Sequence, residues 1–192
     1  NCAPRAVQND AHTMPATRPS HLLTLQSFGD ISRFLREGVA DEDSRQLRDS
    51  LGLFSNHIDE AVRARRDSTD TADITRRVAA LAVCAREHQL FLTGLGSAWH
   101  ALYEFGAYQR ALRELRTGIT DWQHMLERRS AKESASFGQF ELLAWRTLGE
   151  ALLLIDMYEH QSDPAGDLAD AAPPRSVSAL QRVRAWWARL RR

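Results

Sequence analysis

The sequence predicts an all-α protein: an antiparallel bundle of about five core helices, followed by a tethered C-terminal amphipathic helix. Three observations carry that expectation. Apolar residues recur at alternating spacings of four and three along most of the chain, as on the buried face of a helix. No stretch alternates apolar with polar residues, and no Asn-Gly or Asp-Gly pair marks a hairpin. The last stretch, 175–192, gathers arginines around two adjacent tryptophans, behind a segment of aspartate and proline.

The first 19 residues hold three of the six prolines and show no apolar period, which predicts a flexible leader. Ser20 then caps a first helix with Leu22, Leu25, Phe28, Ile31 and Leu35 on its apolar face, closed by Gly38. The second helix starts at Asp41, Glu42 and Asp43, whose charges suit a helix N-terminus, and ends among Arg63, Arg65 and Arg66. Its stripe is Leu47, Leu51, Phe54, Ile58 and Ala61. "DSTDTAD" restarts the chain, and the third helix carries Ile74, Val78, Leu81, Ala85, His88 and Leu92 until "GLGS" stops it.

From Ala98 the same alternation runs through Leu102, Phe105, Tyr108, Leu112, Leu115, Ile119, Trp122 and Leu126. It predicts one helix of about 30 residues, roughly 45–50 Å long, with a break near Gly118 as the rival reading. Ser130 and Glu133 in "SAKE" have the spacing of a capping box. The last core helix, about 135–160, is apolar on most sides, which places it at the centre of the fold. The bundle therefore spans 20–160, an acidic linker with three prolines follows at 161–174, and a basic amphipathic helix fills 175–192.

Composition narrows the function classes. At 192 residues and 43% hydrophobic the chain suits one domain of ordinary size. Its 25 basic and 25 acidic residues balance, so no overall charge draws it to nucleic acid. Lys132 is the only lysine, a skew that a GC-rich genome produces. Cys2 and Cys84 are too few for a disulfide framework, and Cys84 reads as a buried free thiol. No run of 18 apolar residues could span a bilayer. The chain begins at Asn1 rather than methionine; a cleaved signal peptide, hence secretion or a periplasmic location, fits that start, and so does trimming.

Motifs for chemistry are sparse. His57 with Glu60, His124 with Glu127, and His100 with Glu104 each share a helix face, but the Glu-x-x-His of di-iron bundles is absent. No phosphate loop, nucleophile elbow or paired-cysteine motif occurs. These readings name no catalytic residue, cofactor or metal. "WRTLGEAL" and "GAYQRAL" resemble fragments of tetratricopeptide repeats over about 15 residues in two pieces, yet no 34-residue self-match follows, so no peptide groove is carried over. "RFLR" at 33–36 and "RQLR" at 45–48 resemble the translocation motif of secreted oomycete effectors, although Leu35 and Leu47 lie on the apolar stripes.

The C-terminal stretch is the most specific feature. At about 100° per residue, Ala179, Leu180, Val183, Trp186, Trp187 and Leu190 fall in one arc, bordered by Arg182 and Arg189 on one edge and Arg184 and Arg191 on the other. Leu180, Val183, Arg184, Trp186, Trp187, Arg189 and Leu190 are the candidate contact residues for a partner or membrane. A partner protein would receive them as a helix in a groove, an anionic membrane surface would attract the arginines, or the helix would dock on its own bundle. Nucleic acid ranks last, since the remaining residues are net acidic. The expected function is non-enzymatic interaction: an adaptor, accessory subunit or secreted effector. The alternative is a ligand-sensing domain holding a small apolar molecule in a pocket of His88, Trp99, Trp122 and Trp145.

Overall fold

A computed structural model describes residues 25–37 and 42–162, which form six helices and no strand. They are α1 (Phe28–Glu37), α2 (Glu42–Asp67), α3 (Thr71–Thr93), α4 (Ser97–His100), α5 (Tyr103–Glu127) and α6 (Glu133–Ser162). The leader, most of the linker and the C-terminal segment lie outside the described residues.

The all-α bundle expected from the spacing is what forms. α2, α3, α5 and α6 stand in a ring, each antiparallel to its neighbours, and α6 returns to α2. The pairings show the direction: Ser50 meets His88 across α2 and α3, Thr147 meets Ala111 across α6 and α5, and Arg48 meets Glu159 across α2 and α6. α1 lies antiparallel along the outside of α2, where the Ser32 and Ser55 hydroxyls donate to the carbonyls of Gly52 and Phe28. Phe28 also stacks on Trp145 of α6 at 4.3 Å.

The interior is filled by the stripes themselves. Leu47, Leu51, Phe54 and Ile58 of α2 are fully buried, as are Val78, Leu81 and Leu92 of α3, Tyr108 and Trp122 of α5, and Phe140 and Leu148 of α6. Burying each such side chain contributes about 1.5–3 kcal/mol. Leu35 and Leu47 of the two Arg-x-Leu-Arg tetrapeptides are core residues. Cys84 is buried as a free thiol.

Four boundaries differ from the sequence expectation. α1 starts at Phe28, not after Ser20: Ser27 Oγ accepts from Asp30 N–H while the Asp30 carboxylate accepts from Ser27 N–H. That reciprocal pair is a capping box; Ser20 and Leu22 of the expected helix lie outside the described residues. The expected helix from Ala98 is broken at Ala101–Leu102, where Leu102 is extended at ψ 133°. The turn exposes Ala98 and swings Trp99 inward, flat against Tyr158 at 3.6 Å. A stripe read by spacing alone runs straight through such a bend. At Gly118, by contrast, α5 is continuous; the glycine admits Leu143, whose Cδ1 would lie 2.8 Å from an added Cβ.

The Ser130–Glu133 capping box does not form. α6 begins at Glu133 itself, whose carboxylate turns instead to Arg65 and Trp122. α6 also runs to Ser162, two residues into the expected linker. Nor is α6 central: it holds a corner of the ring between α5 and α2, and its outward Leu142 is 67% exposed.

Among the described residues, Arg129 alone of the non-glycine residues has a left-handed backbone. α5 ends in a Schellman motif, with Ser130 N–H donating to Met125 O and Arg129 N–H to Leu126 O. The left-handed position falls on Arg129, at φ 48°, where a side chain costs about 1–2 kcal/mol. Arg129→Gly is expected to stabilise the protein by about 1 kcal/mol and raise the thermal midpoint by roughly 2–4 °C, read by calorimetry.

Candidate functional site

Three polar clusters of buried and half-buried side chains tie the described helices together, apart from Ser32, Ser55, Asp59 and Thr147, which are buried elsewhere. At one end, Glu133 joins three elements. Arg65 of α2 donates Nε and Nη2 to its two carboxylate oxygens at 2.8 and 2.7 Å, and the Trp122 indole of α5 donates to the same Oε1 at 2.8 Å. The Arg65 hydrogen bonds hold the Glu133 carboxyl below its ordinary pKa, with the indole adding to the effect against some desolvation. Arg65 also lies over the Phe137 ring at 5.6 Å.

At the opposite end, Arg48 of α2 makes the matching pair with Glu159 of α6, at 2.9 and 2.8 Å, and Ser44 donates to the same carboxylate at 2.9 Å. Arg48 is buried, and its Nη1 makes no hydrogen bond. The guanidinium lies over the Phe34 ring, 5.9 Å from its centroid, so the aromatic face of α1 partly balances that orphan donor.

Between the ends sits His88, 2% exposed. Its Nδ1 is 2.6 Å from Ser50 Oγ of α2 and its Nε2 is 2.5 Å from the Tyr108 hydroxyl of α5. Phe54 and Phe91 stack on the ring at 5.4 and 6.1 Å. Burial pushes the imidazole down to about 4, so it is neutral near pH 7, one nitrogen donating and the other accepting. Burial, with Cys84 beside it, raises the Tyr108 hydroxyl well above its usual value, and burial ahead of Glu87 raises the Cys84 thiol to about 11.

The four residues expected to share a pocket are not brought together. His88 bridges α2, α3 and α5; Trp99 stacks on Tyr158; Trp122 packs on Phe140 at 4.8 Å; Trp145 stacks on Phe28. Large aromatic side chains on four different elements suggested a common wall, but each anchors its own helix crossing. A concavity among the described residues lies elsewhere. It is an open groove of ≈ 730 Å³ between α5 and α6, bordered by Glu114, Asp121, Met125, Ala135, Gln139 and Leu143. Sequence reasoning missed it because it lies between two outward-facing rows rather than along a buried stripe.

Among the described residues no group of three His, Cys, Asp or Glu side chains could hold a metal ion. His57 and Glu60 approach to 3.8 Å, and His100 bonds the Leu95 carbonyl at 3.1 Å rather than Glu104. No described helix is long and apolar enough to cross a membrane. Leu180, Val183, Arg184, Trp186, Trp187, Arg189 and Leu190 lie outside the described residues. No protein-family model, curated protein or solved structure matches this chain.

Two outcomes follow from these clusters. Glu133→Ala leaves a buried indole N–H and an arginine without their acceptor and should cost about 2–3 kcal/mol in urea unfolding. Glu133→Gln, which keeps an acceptor oxygen, should cost less. His88 binds its proton less readily in the folded state than in the unfolded chain, whose value is about 6.5. The unfolded state therefore takes up more protons between pH 6.5 and 4, and stability falls as the pH is lowered through that window. Relative to a His88→Gln variant, the protein should lose about 3 kcal/mol more over that interval, measured by urea unfolding at each pH.

Proposed function

We propose that this protein is a non-enzymatic helical interaction protein that docks on a partner protein through its C-terminal tryptophan- and arginine-rich segment. One observation carries the reading. Phe54, Trp122 and Phe140 are fully buried in a core that the described helices share, which supports an outward role for Trp186 and Trp187. An apolar arc edged by arginines, placed behind an acidic and proline-containing segment, then has an external surface to meet. Paired tryptophans are the residue type that anchors interfaces, and arginine supplies forked hydrogen bonds at their rim.

The three polar clusters support the same reading. Their side chains bond to one another between helices, which is a structural use of Glu133, Arg48, Glu159 and His88. On this reading the bundle is a rigid carrier and the C-terminal segment is the contact element.

The test compares affinity capture from native extract by the full chain and by its Trp186→Ala/Trp187→Ala variant. A protein retained by the first and reduced at least tenfold on the second supports the proposal. Equal retention removes it. Co-sedimentation of both chains with phosphatidylserine vesicles supplies the other arm: vesicle binding lost in the variant, with no protein captured, would replace the partner protein by an anionic membrane surface.

A further inference from the structure

We infer that residues 175–192 seat on their own bundle, in the groove between α5 and α6, and so cap themselves when no partner is present. The inference rests on the reading of that segment as the docking element and adds its regulation. Gly118, Met125, Ala135 and Leu143 give the groove's lining its apolar part, beside Thr117, Ser136 and Gln139, and Glu114 and Asp121 line it from α5. On α6, Leu142 follows Ala135 by seven residues and Gln139 by three, so it continues the groove's own stripe. It is 67% exposed, a large apolar side chain without cover beside a trough that is already concave.

Charge and spacing select the occupant. Glu114 and Asp121 are seven residues apart, two helical turns on one face of α5. Arg175, Arg182 and Arg189 repeat the same interval of seven. A helix running parallel to α5 therefore sets arginine opposite both carboxylates at once. Glu114 also holds Arg146 at 2.5 Å, and Lys132 closes one end of the groove, so Asp121 is the rim carboxylate left to a newcomer.

Chain length agrees with that placement. Gln139, near the middle of the groove, is about 35 Å along α6 from Ser162 at 1.5 Å per residue. A helix over 175–192 would be about 27 Å long. Centred on the groove and antiparallel to α6, it begins about 20 Å from Ser162. Twelve residues, the number in 163–174, would span about 19 Å if they formed a flexible coil. In that register Arg182 stands at the level of Asp121 and Arg175 near that of Glu114. A tether of this length also gives an effective concentration in the millimolar range, so a modest affinity suffices for occupancy.

The test uses a fluorescein-labelled peptide of residues 175–192, read by anisotropy on full-length chains. The peptide should bind the Trp186→Ala/Trp187→Ala chain, whose own segment no longer holds the seat. It should bind the unaltered chain at least tenfold more weakly, because the tethered copy competes. Adding Glu114→Lys and Asp121→Lys to the tryptophan variant should also weaken it at least tenfold; circular dichroism checks that the bundle is intact. Absent binding to the tryptophan variant, or binding indifferent to the two lysines, overturns the groove as the seat. Equal binding to the altered and unaltered chains overturns self-capping. Dimerisation of the unaltered chain, lost in the tryptophan variant, makes a second copy the occupant and overturns the intramolecular form. None of these results depends on what affinity capture retains, so this inference and the proposed function fail separately.

Discussion

The bundle depends on how α6 is returned to α2. Among the contacts that do this, beside Arg66 with Glu141, are two forked arginine–carboxylate pairs, Arg48 with Glu159 and Arg65 with Glu133, one near each end of the shared length. The partners are 111 and 68 residues apart in the chain, so each closes a long loop. Apolar stripes would let antiparallel helices slide by a turn at little cost, since a leucine replaces a leucine. A planar guanidinium meeting both oxygens of a carboxylate does not tolerate a shift of 5.4 Å. Two such clasps therefore set register, while the area buried between them supplies most of the stabilisation.

The remaining polar contacts follow from that register. Once α2 and α6 are fixed, Trp122 can donate to the oxygen that Arg65 already uses, and Ser44 can join Glu159. His88 comes to lie between Ser50 and Tyr108, so α3 is keyed to α2 and α5 at one height. Each of these groups would be expensive to bury alone. Together they are nearly all satisfied, the Arg48 Nη1 that meets no acceptor being the exception among the described side chains. α1 adds a cover outside the ring, with Phe28 on Trp145 and Phe34 beneath Arg48.

The helices were legible because burial on one face leaves a period that nothing else in a sequence produces. Leu47, Leu51, Phe54 and Ile58 are stripe residues by spacing and fully buried in fact. What escaped that reading has a common cause: it depends on partners far away in the chain. Glu133 has the spacing of a helix cap, but Arg65 and Trp122 offer its carboxylate stronger bonds than a backbone N–H. Trp99 breaks a continuous pattern because Tyr158 is there to stack on. The tryptophans failed as a pocket for the same reason, each being spent on a separate helix crossing. Only the outward rows of α5 and α6 considered together would have revealed a groove, and that pairing requires knowing which helices are neighbours.

A closed ring has a consequence for its outer surface. Four helices that satisfy one another inward leave trenches between adjacent pairs, and α1 covers only the side of α2 and α6. On the α5 and α6 side the trench is lined by small residues, Gly118 where Leu143 approaches closely and the exposed Ala135, and Leu142 stands at its lip. At Gly118 the Leu143 side chain of α6 comes close to α5, so a contact that packs the two helices also lines the trench. A partly apolar lining with carboxylates along one wall favours a helix with tryptophan on one side and arginine at its edge. On the proposed reading, one segment then has two destinations that compete, the parent groove and the partner. Tether length and rim charge set the balance between them, because they change the parent site without altering the face offered to the partner.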